Sequence, residues 1–253
     1  MHTSNEAFRP PLYFTEDMPI VKEDEYVFRH VAKQLPELHV NQMAIHLFQV
    51  LSRRPLHVIA LFQNTLDRSF HLNDLVVLAL SGDELVARKV LSIEEVPVIL
   101  PMATLPLWLT FEEDECFVDL EQLTEPLQLV FSSETLTELF IEDDFTEAEQ
   151  RIIRQVAYAH PTPPADGWSL LPVSIMREPD VVTATVLVRN ASAQTLMLDT
   201  LAFELMDDET PLADVTHPGL SLPAHSQHAI RLRFSCTAPH VDAFGLRYLP
   251  PSS

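Results

Sequence analysis

Short runs of apolar residues, rich in Val, Leu, Ile and Phe, recur between residues 56 and 111 of the chain. Each run is bounded by Asn, Asp, Gly or Pro, which is typical of the strands and turns of a β-sandwich. The pattern predicts strands at residues 58–62, 72–80, 85–93 and 105–111. It also predicts one strand before this group and one after it, at residues 43–51 and 127–131.

The same pattern returns in a weaker copy between residues 182 and 234. Asn64 falls opposite Asn190, and subtracting the residue numbers gives an offset of 126 positions between the copies. The segment LYFTED at residues 12–17 matches LFIED at residues 139–143 with nearly the same offset. We therefore expect a duplicated domain. The predicted parts are a tail at residues 1–11, domains at residues 12–132 and 133–253, and a linker near residues 132–135.

A short amphipathic helix is predicted over residues 22–34, at the start of the first repeat. Val27, Val31 and Leu35 recur there at positions i, i+4 and i+8, which places them on one face of a helix. Pro36 ends the helix because its ring occupies the position of the backbone N–H donor. These three apolar residues form the predicted stripe of the helix.

The second repeat opens with a corresponding helix, in which Thr146 and Glu149 form a T-x-x-E capping box. The predicted buried face of this helix consists of Ile152, Ile153, Val156 and Ala157. Together, helices and strands predict a mainly β chain. Its expected fold is two tandem immunoglobulin-like β-sandwich domains, each preceded by a short α-helix.

The first repeat is apolar on both faces of its predicted sheet. Ile59, Leu61 and Trp108 lie on the face opposite the alternating core residues, where the second repeat carries Thr183 and Thr185. An apolar outer face must be covered by the helix of the domain, by the sister domain or by a protein partner. The last alternative makes Ile59, Leu61 and Trp108 candidate partner-binding residues.

Late in the second repeat, apolar and polar residues alternate cleanly. Ile230, Leu232 and Phe234 point to one side of the predicted strand, and Arg231, Arg233 and Ser235 point to the other. This alternation predicts a sheet with one face in solvent.

Composition narrows the classes of function. The chain has 253 residues, of which 47% are hydrophobic, and a formal net charge of −21. Such acidity argues against binding to nucleic acids or anionic membranes, because both require a cationic surface. The longest uncharged run, residues 96–111, is too short and too rich in Pro for a transmembrane helix. No secretory signal is visible, so we expect a cytoplasmic protein without direct membrane insertion.

Motifs that would indicate catalysis are missing from the sequence, including G-x-S-x-G, the P-loop, G-x-G-x-x-G, H-E-x-x-H and C-x-x-C. His217, His225 and His228 invite comparison with a metal site, but an H-x-x-H pair on a loop without a clustered third ligand is usually just polar and solvent-exposed. Cys116 and Cys236 occupy matching positions of separate domains, so we expect free thiols. The sequence therefore predicts no catalytic residue, no metal, no cofactor and no small-molecule substrate: not an enzyme.

The first repeat resembles the SLAP domain, which occurs in duplicate in the S-layer assembly protein of the accessory Sec system. The resemblance covers about a third of the chain and lies in several motifs spread over one repeat. They are Tyr26, Leu35-Pro36, Asn41-Gln42, Phe62 with Asn64, Ala87-Arg88-Lys89, and Pro106 with Trp108 and Phe111. The second repeat keeps the register and Asn190, but Ala213-Asp214-Val215 stands where the first has Ala-Arg-Lys.

This resemblance implies a non-enzymatic accessory factor that assists accessory-Sec-dependent export and assembly of S-layer proteins through protein–protein binding. The implied partners are the accessory translocation ATPase, an S-layer precursor, or both. The acidic surface would steer a basic partner. The alternative is a tandem β-sandwich interaction or scaffold module that is unrelated to secretion.

Overall fold

In a computed structural model, the chain is described over residues 7–15, 18, 20–69, 75–92, 94, 96–132, 138–164, 167–236 and 244–250. It divides into two compact units, Met1–Ser133 (unit 1) and Glu134–Ser253 (unit 2). The predicted mainly β fold is confirmed. The linker predicted at residues 132–135 lies almost entirely outside the described residues. Within those residues, none of the helices has the length and apolar character needed to cross a membrane.

Unit 1 is a sandwich of two three-stranded antiparallel sheets. Its elements are α1 (Lys22–Ala32), β1 (Met43–Arg53), β2 (Leu56–Asn64), β3 (Leu75–Ser81), β4 (Glu84–Leu91), β5 (Ala103–Phe111) and β6 (Leu127–Phe131). One sheet has the order β1-β2-β5 and the other the order β4-β3-β6. All six strands predicted for this region are present. Residues 72–74 and 93, which the prediction also assigned to strands, lie outside the described residues.

The core of unit 1 lies between its two sheets. Val58, Ala60 and Phe62 alternate along β2 and are at most 1% exposed, and Val77 and Ala79 of β3 belong to the same cluster. The opposite face of β2 is also buried. A strand covered on both faces reads as a continuous apolar run, which explains why β2 lacks polar alternation.

Unit 2 is a second sandwich, with four strands in one sheet and three in the other. Its elements are β7 (Glu138–Ile141), α2 (Glu147–Ala159), β8 (Trp168–Arg177), β9 (Val181–Asn190), β10 (Leu196–Asp207), β11 (Thr210–Leu222), β12 (Ser226–Ser235) and β13 (Gly245–Leu249). The sheets have the orders β7-β12-β9-β8 and β11-β10-β13. Val186, Phe203 and Phe234, each at most 1% exposed, belong to the core between them.

The two units repeat one topology. The strand set β8-β9-β12 of unit 2 has the order of β1-β2-β5, and β11-β10-β13 has the order of β4-β3-β6. Strand β7 runs parallel to β12, and a parallel bridge joins Leu12 to Thr104 of β5 at the corresponding place in unit 1. The two units therefore share this strand order.

Irregularities of the backbone repeat as well. The pairing of β1 with β2 is interrupted at Phe48, and that of β8 with β9 is interrupted at Val173. The hairpins that follow β3 and β10 turn at Gly82 and Asp208, with φ of 59° and 48°. Bulges and left-handed turn residues are set by the local path of the chain, so their recurrence indicates a shared backbone path.

In both helices a residue predicted on the apolar stripe is exposed, and the next residue along the chain is buried. In α1 the buried residue is Phe28, at 4% exposure, whereas Val27 is 51% exposed. In α2 Ile153 is 1% exposed and Ile152 is 47% exposed. Successive helical residues point about 100° apart, and in both of these pairs the second residue is the one that faces the sheet. The assignment of Ile152 to the buried face of α2 was wrong, and Val27, predicted on the apolar stripe of α1, is exposed.

Residues 8–11, which belong to the tail predicted at residues 1–11, are held in place by hydrogen bonds. Phe8 and Leu38 exchange two backbone hydrogen bonds of 3.0 Å. The backbone N–H of Thr104 donates to the carbonyl of Pro11 at 2.8 Å, and its hydroxyl donates to the carbonyl of Pro10 at 2.8 Å. Residues 8–11 are therefore part of unit 1, while residues 1–6 lie outside the described residues.

Candidate functional site

The three residues predicted to bind a partner lie together on the outer face of the β1-β2-β5 sheet. Ile59 and Trp108 are direct partners in the register of β2 and β5, and Leu61 follows two residues along β2. Ile59 is 7% exposed and Leu61 is fully buried. They belong to a hydrophobic cluster that is separate from the sandwich core.

Helix α1 covers this face. Phe28 stacks on Phe48 of β1 with ring centroids 4.5 Å apart, and its ring lies 6.2 Å from that of Trp108. Phe14 meets Phe28 edge to face at 6.0 Å. The helix of the domain is thus the cover that the structure provides. Ile59 and Leu61 could contact a partner only if α1 were displaced, so their assignment to a partner surface must be revised.

A buried polar chain ties β2 to the segment that follows α1. Gln63 is fully buried, and its Oε1 lies 2.9 Å from Nε2 of His46 on β1. Its amide nitrogen donates to the carbonyl of Pro36 at 3.3 Å. Burial lowers the pKa of His46 below its ordinary value, and the hydrogen bond to Gln63 offsets this only in part. These groups position the helix, and sequence reasoning did not identify their role.

Asn64 fixes the loop at the end of β2. Its side-chain amide donates to the carbonyl of Leu100 at 2.8 Å, and its Oδ1 accepts from the backbone N–H of Leu66 at 2.9 Å. Asn190 does the same in unit 2, where Oδ1 accepts from the N–H of Ser192 at 3.1 Å. The match of Asn64 with Asn190 was the basis of the predicted repeat, and each side chain holds a loop.

Lys89, from the Ala-Arg-Lys motif, is buried and forms an ion pair. Its Nζ lies 3.5 Å from Oε2 of Glu115, with a side-chain exposure of 7%. Burial raises the pKa of Glu115, while the Glu112 backbone N–H and Lys89 oppose this shift. An ion pair of this kind is costly to break on one side only, because the remaining charge is left buried.

In unit 2, α2 covers the corresponding sheet face, but part of the contact is ionic. Ile153 and Ala229 are buried, and Arg231 of β12 bonds Asp144 at 2.9 Å and Glu149 at 3.0 Å. The guanidinium of Arg231 also lies 4.2 Å from the ring centroid of Phe145. The sequence predicted that this face of β12 lies in solvent. Its first half is covered instead, because α2 packs there.

The predicted capping box of α2 is present. The Thr146 hydroxyl accepts from the Glu149 backbone N–H at 3.3 Å, and the Glu149 carboxylate accepts from the Thr146 backbone N–H at 2.8 Å. Bonds from the Thr146 backbone and hydroxyl, with Arg231 nearby, lower the pKa of Glu149. This carboxylate therefore holds the start of α2 and its contact with β12 together.

Arg189 takes the place of Gln63 in unit 2. It is 4% exposed and donates to the side chain of Gln227 at 3.0 Å and to the carbonyls of Pro161 at 2.8 Å and His160 at 3.2 Å. Burial lowers its pKa. All three acceptors are neutral. Two of them, the carbonyls of His160 and Pro161, directly follow α2, so the guanidinium ties the end of α2 to the sheet.

The histidines proposed as surface groups do not assemble into a metal site. His228 is half-buried, which lowers its pKa, and it lies 3.9 Å from the Glu142 carboxylate. Within the described ranges, His, Cys, Asp and Glu form no group of three that could hold a metal ion. Cys116 and Cys236 are both partly buried, and the structure shows no disulfide at either residue.

Comparison with known proteins matches residues 12–133 to the family model of the SLAP domain. No curated protein matches the chain. Among solved structures, a calcium-binding mutant of Bacteroides uniformis β-glucuronidase 2 matches at 12% identity and a TM-score of 0.25, over 92% of this chain. The chain spans 27% of the length of that structure.

The family match begins at Leu12, whose backbone forms the parallel bridge to β5, and it ends at Ser133, where unit 1 ends. It therefore includes α1, the sheet face beneath it and both sheets of the sandwich. The match does not extend into unit 2. Unit 1 of this chain is therefore a SLAP domain.

Proposed function

We propose that this SLAP-domain protein is a non-enzymatic cytoplasmic factor that assists accessory-Sec-dependent export and assembly of S-layer proteins by binding other proteins. The observation that carries the proposal is the family match over residues 12–133. The SLAP family is associated with the accessory Sec system and S-layer proteins at the level of the family. The resemblance of motifs such as Ala87-Arg88-Lys89 to the family supports the same reading.

The uses of the buried polar side chains support a binding role rather than catalysis. Gln63, Asn64 and Arg189 form hydrogen bonds with backbone carbonyls or with neighbouring side chains. These bonds hold the helices and loops in place. Lys89 is paired with Glu115. A catalytic group needs a pKa and an exposed position suited to proton transfer. These groups instead serve the fold.

The repeated topology supports a second part of the proposal: unit 2 is a diverged copy of the SLAP domain. Helix, strand order, bulges and the Asn64–Asn190 pair recur between the units. The chain would then present two related surfaces to an export partner. The first carries the family motifs, while the second has lost the Ala-Arg-Lys sequence.

Direct binding to purified components tests the proposal. The full-length protein is immobilised and exposed in turn to a purified accessory translocation ATPase and a purified S-layer precursor from an S-layer-bearing, bacillus-type cell. We expect saturable binding to at least one of them. A precursor exported by the general Sec route is the matched control and should not bind.

If neither component binds while circular dichroism shows a folded β protein, the export function is contradicted. Equal binding of the control precursor would contradict it as well, because the protein would then be a general binder of unfolded chains. The fold assignment would stand in either case.

A further inference from the structure

Unit 1 contains an open cleft between the segment that precedes α1 and the end of that helix. The cleft has a volume of about 480 Å³ and is lined by residues 9–12 on one side and by Arg29, Ala32 and Lys33 on the other. A volume of this size is typical of ligand sites in proteins. All three charged residues of the lining, Arg9, Arg29 and Lys33, are cations. The whole chain has 16 basic and 37 acidic residues, so the cleft reverses the average charge of the chain.

The two arginines keep donors available for a ligand. Arg9 donates from Nε to the carbonyl of Leu35 and pairs through Nη1 with Glu37 at 2.9 Å, and Arg29 pairs through Nη2 with Glu25 at 3.3 Å. Within the described part of the chain, Nη2 of Arg9 and both Nη1 and Nε of Arg29 have no other hydrogen-bond partner. A guanidinium has five N–H donors, so each arginine can keep its present carboxylate and bind a second one.

Lys33 adds a third cation to the cleft. It is exposed, and the ion pairs among the described residues do not include it. With Glu25 and Glu37 counted, the cleft still has an excess of one positive charge. Cations in the last turn of a helix also favour the helix through its dipole. That effect accounts for Arg29 and Lys33, but it does not account for Arg9, which reaches the cleft from the opposite wall.

The wall formed by the prolines favours carboxylates over phosphate. Pro10 and Pro11 have no backbone N–H, and their carbonyls accept from the hydroxyl and the backbone N–H of Thr104 at 2.8 Å each. Phosphate sites commonly use the backbone N–H groups at the N-terminus of a helix or in a nest, whereas this cleft lies at the C-terminal turns of α1. Cationic side chains beside proline rings therefore suit carboxylates that are carried on a partly apolar chain.

Unit 2 does not repeat this cluster of cations. The helices are offset by 125 positions, so Arg154 corresponds to Arg29 and Tyr158 corresponds to Lys33. Nη2 of Arg154 donates to the side chain of Gln150 in its own helix at 3.3 Å. The combination of three cations is therefore specific to the unit that matches the SLAP family.

We propose that this cleft binds the carboxylates of an acidic, partly aliphatic peptide segment. Carboxylates meet Arg29 and Lys33 on one wall and Arg9 on the other, while aliphatic side chains pack on the rings of Pro10 and Pro11. The inference goes beyond the proposed function, because it assigns a site and a ligand chemistry whichever protein carries the segment. The net charge of −21 opposes the approach of an acidic segment from a distance. At about 0.15 M salt, charges more than about 8 Å away are largely screened, whereas contacts inside the cleft persist.

The test uses the full-length protein and a fluorescein-labelled synthetic peptide in which Glu alternates with Leu. Binding is measured by fluorescence anisotropy at about 0.15 M salt. Arg29→Gln with Lys33→Gln removes two cations from the cleft and should weaken binding about ten-fold. Arg151→Gln with Arg154→Gln is the matched control, because it removes the same charge from α2. This control should bind the peptide like the wild type.

A single variant covers the case in which the double variant fails to fold. Lys33→Gln removes a side chain that takes part in no ion pair among the described residues, and it should weaken binding about three-fold. A peptide with Gln in place of Glu should not bind. Far-UV circular dichroism checks the fold of each variant. Arg9 stays unchanged in all of them, because it also holds the carbonyl of Leu35.

Three results would overturn the inference. They are unchanged affinity in the folded Lys33→Gln variant, an equal loss in the α2 control, and equal binding of the Gln peptide. Tighter binding of a phosphoserine peptide with the same net charge would overturn it as well, because the cleft would then be a phosphate site.

The inference can fail separately from the proposed function. If purified export components bind the full-length chain but the Glu peptide does not, the cleft assignment is wrong and the export function stands. If the Glu peptide binds through Arg29 and Lys33 but no export component binds, the cleft assignment stands and the export function is wrong.

Discussion

Units 1 and 2 cover the same sheet face with different chemistry. In unit 1 Trp108 lies opposite Ile59 in the strand register and contacts Phe28 of α1. In unit 2 Arg231 lies opposite Thr185 at the corresponding place and pairs with Asp144 and Glu149. One helix is held by aromatic packing and the other partly by ion pairs. The helix position is shared, but the side chains that hold it are not.

A second pair shows the same contrast. Gln63 and Arg189 both donate to the backbone that follows their helix, at Pro36 in unit 1 and at His160 and Pro161 in unit 2. An amide and a guanidinium differ in charge and length, yet both supply donors. The requirement at this position is therefore a donor to the chain after the helix, and its chemical type is free to vary.

Asn64 and Asn190 mark the opposite case, since the residue type is the same in both units. Each side chain accepts a hydrogen bond from the backbone N–H two residues later and donates to carbonyls of a neighbouring segment. Only a short amide can do both in this space, because Asp lacks the donor and Gln is longer. Shared identity here reflects a requirement of the loop.

The largest predicted effect tests the helix cover itself. Phe28→Ala removes the ring that stacks on Phe48, and it should lower the free energy of unfolding of unit 1 by about 3–4 kcal/mol. The equivalent change, Ile153→Ala, should lower that of unit 2 by about 2–3 kcal/mol. Hydrogen exchange with mass spectrometry resolves the two units within one chain. Unchanged exchange of β2 in Phe28→Ala would contradict the role given to α1.

The next prediction concerns the shared asparagine. Asn190→Ala removes the amide donor from the carbonyls of Gln194, Leu222 and Pro223, although the hydroxyls of Ser192 and Ser226 still donate to Gln194 and Pro223. Asn64→Ala removes the amide donor from the carbonyl of Leu100. We expect losses of about 3 kcal/mol in unit 2 and about 2 kcal/mol in unit 1.

The measurement for this pair is denaturant unfolding, followed by hydrogen exchange to assign each loss to its unit. Asn190→Asp is the matched control, since it keeps the acceptor and removes the donor. If Asn190→Asp were as stable as the wild type, the donated bonds would be irrelevant and the comparison would rest on the acceptor alone.

Much of the fold could be predicted from local patterns. Strand runs such as residues 127–131 and the T-x-x-E capping box at Thr146 are encoded by adjacent residues, so the sequence was sufficient. The offset of 126 positions between the two copies could be found because residues 64 and 190 are both Asn. Gln63 and Arg189 could be aligned by the same offset. Their common role as hydrogen-bond donors could not be predicted, because the two side chains differ in type.

The helix-covered face was harder to predict, since its contacts join residues far apart in the chain. The periodicity of α1 is equally consistent with Val27 or Phe28 facing inward, and the contact of Phe28 with Phe48 and Trp108 decides between them. Strand β13 was missed because its five residues, with Gly245 at the start, carry a weak pattern. Its strand conformation is stabilised by antiparallel pairing with β10, which the local sequence pattern does not indicate.

A smaller effect distinguishes the ionic cover from the aromatic one. Arg231→Met removes the pairs with Asp144 and Glu149 and should cost unit 2 about 1 kcal/mol at low ionic strength. The loss should shrink as salt is added, because these carboxylates are partly exposed and screened. Trp108→Met in unit 1 is the matched change, and its loss should be independent of salt. Equal salt dependence of the two losses would contradict the distinction.

The smallest predicted effect is the pH dependence of unit 1 through His46. Burial lowers the pKa of His46 in the folded protein below its ordinary value of 6.5. The unfolded chain therefore takes up the proton first as the pH falls. The contribution of His46 to stability is fully present above pH 6.5 and is lost as the pH falls from there through the folded pKa.

The physical reason for this loss is the burial of charge, not a broken bond. Protonated His46 still donates from Nε2 to Gln63, so the link from β1 through Gln63 to Pro36 persists. His46→Gln keeps a polar side chain and should remove this part of the pH dependence in unit 1 while leaving that of unit 2 unchanged. Hydrogen exchange of each unit between pH 5 and pH 8 measures it. If the acid-side loss in unit 1 persisted in His46→Gln, another group would be responsible, and the polar chain beneath α1 would carry no titrating element.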